Sequence, residues 1–156
     1  MTTIGPYEVL ETIGEGSYGK VVLAKHFETG HELAVKYMRI DYCTESTLEE
    51  FNHEVGIMKR LSHQNLVKLV DSCAEATLVE SEKKQYKVCY FSMELANEGT
   101  LFQYIEKTGR FEEPFARYIF RQLIQAVEAM HEAGISHCDI KPENILLNKE
   151  HELKLC

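Results

Sequence analysis

The feature that most limits the fold is a change of pattern at Asn97-Glu98-Gly99: strand-like runs lie before it and helical periodicity after it. Strands and helices kept apart in this way imply an α+β chain rather than an alternating βα one. Tyr7–Ile13, Lys20–Phe27 and Glu32–Met38 read as strands, with Glu28-Thr29-Gly30 as the turn between the second and third, which makes an antiparallel meander. From Thr44 to Arg60, Leu48, Phe51, Val55 and Met58 recur at three- and four-residue spacing, the pattern of an amphipathic helix with Glu49 and Glu50 near its start. Leu66–Cys73 and Lys87–Glu94 read as two more strands, and the polar stretch Glu75–Lys84 between them as an exposed hairpin loop. The expectation for 1–96 is therefore a five-stranded antiparallel sheet with one helix, and for 97–156 a mainly helical part.

In that second part a short helix around Leu101–Glu106 precedes a long one over Glu113–Ala133, stopped by Gly134. Between Phe115 and Met130, 11 of 16 positions are apolar. Such a helix expects burial on every side, yet the short remainder of the chain reads as loop and small strands. Exposed apolar surface and poor solubility of the isolated chain follow as an expectation.

Composition narrows the function. With 25 acidic against 17 basic side chains, a net charge of −8 disfavours a nucleic-acid reader, which needs a basic face. Five scattered cysteines, odd in number and without a C-x-x-C pair, argue against a disulfide framework or zinc site and for a reducing compartment. Neither a signal peptide nor an apolar run of membrane-spanning length is visible, so a cytoplasmic location is expected.

Four segments carry chemistry. Gly14-Glu15-Gly16-Ser17-Tyr18-Gly19 is a G-x-G-x-x-G, a pattern that dinucleotide-binding folds also use. There the glycines open a helix; here Lys20-Val21-Val22-Leu23-Ala24 is strand-like, so the loop tops a β-hairpin. From Val21 the chain runs about six residues out and about six back, which at roughly 3.3 Å per residue returns Lys36 beneath that loop. Ala34, two residues before it, shares its face and leaves room for a flat base. Glu54 lies on the flank of the apolar helix face, where a carboxylate needs a partner, and Lys36 is the candidate. Last, His137-Cys138-Asp139-Ile140-Lys141-Pro142-Glu143-Asn144 sets a carboxylate base, a cation and a metal-binding amide in one short bend.

In this order the segments resemble the eukaryotic protein kinase domain of serine/threonine type. Gly14–Val21 resembles the glycine-rich loop, Ala34-Val35-Lys36 the third-strand lysine motif, Glu54 its helix partner, and His137–Asn144 the catalytic loop. Lys141, two after the aspartate, is similar to serine/threonine rather than tyrosine kinases, and Glu94–Ile105 is closest in style to the calcium/calmodulin-dependent and energy-sensing branches.

The resemblance implies ATP and Mg2+ as cofactors and a protein as substrate. It places Ile13, Gly14, Glu15, Gly16, Ser17, Tyr18 and Gly19 over the nucleotide, with Lys36, held by Glu54, on its phosphates. Val21, Ala34 and Leu146 would sandwich the base, Met93 would stand as gatekeeper, and Glu94 and Ala96 would offer a carbonyl and an amide to adenine. Asp139 and Lys141 would be catalytic and Asn144 a magnesium ligand, while Met58, Leu69 and His137 match part of the family's internal hydrophobic spine. Three departures stand out. Cys138 replaces the usual arginine, Thr100 replaces a frequent acidic residue, and the sequence stops at Leu153-Lys154-Leu155-Cys156, where Asp-Phe-Gly should begin. The resemblance thus implies an incomplete kinase domain, inactive or nearly so alone, with a non-catalytic nucleotide- or kinase-binding module as the alternative.

Overall fold

The computed structural model describes residues 1–16, 19–81 and 84–156, in two compact units. The first comprises Met1–Gly56 and Leu69–Leu95; the second comprises Ile57–Lys68 and Ala96–Cys156.

The first unit holds β1 (Thr3–Ile4), β2 (Tyr7–Gly16), β3 (Gly19–His26), β4 (Glu32–Arg39), β5 (Leu69–Ser81) and β6 (Lys84–Met93). They close into an antiparallel barrel in the order β1-β2-β3-β4-β6-β5. The sheet therefore has six strands rather than the expected five. The extra one, β1, is two residues long, too short for any alternation to show in sequence, yet it closes the barrel by pairing Ile4 with both Tyr7 and Leu78. Closure removes the open edges that a five-stranded sheet would expose.

The expected loop over Glu75–Lys84 is also corrected. β5 and β6 run through this stretch, with Thr77 opposite Lys87 and Ser81 opposite Lys84. It reads as polar because its outer face is wet; of its inward residues Leu78, at 2% exposure, is buried in the core and Ala76 packs against it. Leu66–Lys68, in turn, lies ahead of the strand, which begins at Leu69.

Inside the barrel Ile4, Val22, Val35, Leu78 and Val88 pack around Tyr7 and Tyr90. Both phenols find partners: Tyr7 shares a 2.9 Å hydrogen bond with the fully buried Ser92, and Tyr90 donates to Asp71 at 2.9 Å. Burial, the first cause in each case, raises both pKa values, so the hydroxyls stay protonated. Helix α1 (Glu45–Arg60) begins at Thr44, whose hydroxyl accepts from the Thr47 amide at 3.2 Å, and it buries Phe51 and Val55.

Gly19 is required from within. A Cβ there would stand 2.5 Å from the Tyr37 carbonyl oxygen and 3.2 Å from the Met38 Cβ. Gly19→Ala must push the β3 and β4 backbones apart and is expected to destabilise this unit by about 1–3 kcal/mol. Urea unfolding of the variant checks this; an unchanged midpoint would count against the packing argument.

In the second unit α2 (Leu101–Thr108) starts with a reciprocal cap: the Gln103 amide donates to the Thr100 hydroxyl at 3.1 Å and the Thr100 amide donates to Gln103 Oε1 at 3.0 Å. Helix α3 (Glu113–Glu132) buries Ile119, Gln122, Ala126 and Met130. Gly134, at φ 71°, lets the Ile135 amide turn back to the Met130 carbonyl at 2.9 Å. A two-stranded hairpin, β7 (Ile145–Leu147) and β8 (Leu153–Leu155), packs beneath with Leu66 and Leu101. The all-round burial that the apolar count of α3 calls for is not met, since Phe120 and Ile124 are 61% and 52% exposed. Among the described residues no helix is long and apolar enough to cross a membrane.

Candidate active site

Each unit carries one cluster of the residues singled out above. In the first, strand register does the positioning. Gly14 lies opposite Val21, Val21 opposite Lys36, and Lys36 opposite Phe91, so one row of partners crosses four strands. Residues directly opposite one another share a face, as do positions two apart on one strand. Val21, Ala34, Lys36 and Met93, the last opposite Ala34, therefore stand on a single face.

Lys36 is held firmly. Its Nζ donates to both carboxylate oxygens of Glu54, at 2.8 and 2.7 Å, with the two side chains 30% and 44% exposed. It also lies 5.4 Å from the ring centre of Phe91, which is 1% exposed and packs at 5.2 Å against Phe51 of α1. Phe91 and Leu23, opposite Ala34, share this face although the sequence reading passed over them. The signal for Phe91 was its place two residues before Met93 on one strand.

The glycine loop divides into two kinds of position. Gly19 is dictated by β4, as shown above. At Gly14 and Gly16, by contrast, an added Cβ would meet ordinary contacts, 3.6 Å to the Val21 Cβ and 3.8 Å to the Gly19 oxygen, and neither has positive φ. Among the described residues nothing demands glycine at these two positions, and their bare backbone suits close approach by a phosphate-bearing ligand. Ile13 is 47% exposed, and Glu15 pairs with Lys20 at 3.4 Å on the surface. The Ser17 and Tyr18 assignments lie outside the described residues. Glu94 follows β6 and is half-buried.

The second unit brings Asp139, Lys141 and Asn144 together. Lys141 Nζ lies 2.9 Å from Asp139 Oδ2, and Asn144 Nδ2 donates at 2.8 Å to that same oxygen and at 2.8 Å to the Asp139 backbone carbonyl. The tight bend comes from Cys138, whose φ of 65° is uncommon for a residue with a side chain, followed by the single turn Pro142–Asn144. The Asp139 amide donates to His137 Nδ1 at 3.2 Å. Leu146 pairs with Thr100 in an isolated bridge, and the Leu147 amide donates to the Gly99 carbonyl at 3.0 Å, which fixes β7 beside the segment that begins at Ala96. The Thr100 hydroxyl is committed to capping α2.

The bonds from Lys141, then Asn144, hold the Asp139 pKa below the usual carboxylate value, and the bond to Asp139 raises that of Lys141. A depressed carboxylate is lost as pH falls through its folded value, and a raised ammonium as pH rises through its own. Across neutral pH the loop thus presents an ionised base beside a cation.

Comparison with known proteins identifies the family. The family model described as "Protein kinase domain" matches residues 7–156. The chain is similar to CBL-interacting serine/threonine-protein kinase 9 of Arabidopsis thaliana, at 37% identity over 99% of this chain and 32% of that protein. It is also similar to CBL-interacting protein kinase 11 of Oryza sativa subsp. japonica, at 35% identity over 97% of this chain and 28% of that protein. The chain thus spans about a third of the length of the curated relatives it matches. With an ion-paired strand lysine in one unit, an Asp-Lys-Asn bend in the other and a family match along nearly its whole length, this chain belongs to the protein kinase domain family.

Proposed function

We propose that the chain binds ATP with magnesium, and that the whole protein transfers the γ-phosphoryl group to a serine or threonine hydroxyl of a protein. The observation that carries this reading is the bend at Asp139, where one carboxylate oxygen receives both Lys141 and Asn144 within 2.9 Å. Asp139, ionised and exposed, orients the substrate hydroxyl and takes its proton, while Lys141 offers positive charge to the group in transit. Asn144 has committed its amide nitrogen to Asp139, so its carbonyl oxygen is the atom left for a hard cation. Bound magnesium neutralises charge on the phosphates. Lys36, paired with Glu54, and the backbone at Gly14 and Gly16, which carries no side chain, hold the phosphate chain. The face formed by Val21, Ala34 and Met93 receives the base, with Glu94 supplying a polar contact. The five free cysteines support a reducing, cytoplasmic setting.

The 156-residue sequence contains no Asp-Phe-Gly. As an isolated polypeptide it is expected to bind nucleotide while transferring little phosphoryl, because Asn144 is then the one family metal ligand present. Calorimetric titration with ATP, with and without magnesium, tests this. Replacing Lys36 by alanine removes charge-assisted hydrogen bonds worth roughly 1.5–3 kcal/mol, so affinity should fall by about 10- to 100-fold. Binding that is indifferent to Lys36, or robust Asp139-dependent transfer by this polypeptide, would sink the respective part of the proposal.

A further inference from the structure

The hairpin that ends the second unit has two strands of three residues each, and so small a ribbon does not hold its own register. Beyond β7, β8 is pinned on its far side by backbone at one point and by side chains at another. At Leu155 the pins are main chain: its amide donates to the Asn65 carbonyl at 2.9 Å and its carbonyl accepts from the Val67 amide at 2.9 Å. At Leu153 they are two buried side-chain amides. The Leu153 N–H donates to Gln122 Oε1 at 3.0 Å, its carbonyl accepts from Asn65 Nδ2 at 3.0 Å, and Asn65 Nδ2 also donates to Gln122 Oε1 at 2.8 Å. Asn65 and Gln122, 2% and 9% exposed, thus continue for one more residue the strand-like edge that the main chain of 65–67 begins.

That register reaches the catalytic bend. Immediately after β8, the Cys156 amide donates to the Asn144 carbonyl at 3.0 Å, and the Cys156 carbonyl lies 2.9 Å from His137 Nε2. Because His137 Nδ1 accepts from the Asp139 amide, the ring proton sits on Nε2 and is donated to Cys156. A slip of β8 by one residue would move that carbonyl by roughly 3.3 Å and turn Leu153 and Leu155 out of the core. We propose that Gln122, acting with Asn65 on Leu153, is a positioning residue for Asp139: it sets the register of β8, whose Cys156 carbonyl, together with the Asp139 amide on the other ring nitrogen, holds the tautomer and orientation of His137 and hence the bend 137–144. The placement stands on geometry alone; its consequence for phosphoryl transfer rests on the role proposed for Asp139 above.

The test uses the 156-residue chain with 15N-labelled histidine. The wild type should show His137 as a single Nε2–H tautomer. Gln122→Met keeps length and apolar bulk but removes the shared acceptor, and it is expected to give exchange-averaged His137 nitrogens and lost protection of the Leu153 and Cys156 amides. Gln122→Glu keeps the acceptor oxygen and should restore the wild-type signature. If Gln122→Met fails to fold, Asn65→Ala, which removes the donor to the Leu153 carbonyl, should give the same averaging. A His137 signature unchanged in the folded variants overturns the proposal, as does averaging that Gln122→Glu fails to repair. ATP titration of the same samples separates the two readings, since absent nucleotide binding with an intact His137 response would count against the proposed function alone.

Discussion

Asp139→Asn in the whole protein is expected to lower kcat for phosphoryl transfer by about 10²–10⁴-fold, the usual share of a positioned general base. The substitution keeps the shape of the side chain and an oxygen for Asn144 to reach, so the bend survives. It removes the carboxylate to which the proposed function gives the hydroxyl proton and leaves the Lys141 ammonium without its ionic partner. Since no part of the face on β3, β4 and β6 proposed to hold ATP is altered, the KM for ATP should stay nearly constant. Steady-state kinetics at saturating ATP is the measurement; a variant that keeps most of its kcat would show that the carboxylate is not the base.

Phe91→Ala is expected to destabilise the first unit by about 3–5 kcal/mol, a large fraction of the roughly 5–15 kcal/mol that holds a typical domain. Phe91 is 1% exposed and occupies the junction of three things: the barrel wall, Phe51 of α1, and the ammonium of Lys36. Truncation leaves a cavity beneath the lysine and removes the ring that α1 packs on, so α1 and the Glu54 it carries lose their seat. Denaturant unfolding reads the stability, and Phe91→Leu serves as the comparison that refills most of the volume without a ring. A loss below about 1 kcal/mol for the alanine variant would mean that the site collapses freely and that Phe91 does not brace the lysine.

What the sequence discloses depends on how local each feature is. The bend at 137–144 was legible because its three polar side chains, Asp139, Lys141 and Asn144, lie within six residues and their bonds are made inside that span. The hairpin bringing Lys36 opposite Val21 was legible too, since the turn at Gly30 and two legs of equal length fix its register. β1 was not, because two residues show no alternation and the pairing that closes the barrel, beyond the local one to β2, is to the distant β5. The run 75–84 misled for a related reason: polar residues on a strand wet on one side look like a loop when bulges interrupt the alternation. Gln122 shows the limit most sharply. On an apolar helix it reads as one more polar interruption, and its meaning comes from Asn65 and Leu153, which lie 57 and 31 residues away.

The exposed Lys141–Asp139 contact also has a consequence for behaviour in salt. An ion pair open to water is screened as ionic strength rises, with a Debye length of about 8 Å near physiological conditions and about 3 Å at 1 M. The two bonds from Asn144 come from a neutral amide and depend far less on the ionic atmosphere. Concentrated salt should therefore dim the field around Asp139 while the bend keeps its form, so that charge and shape in this loop are separately adjustable.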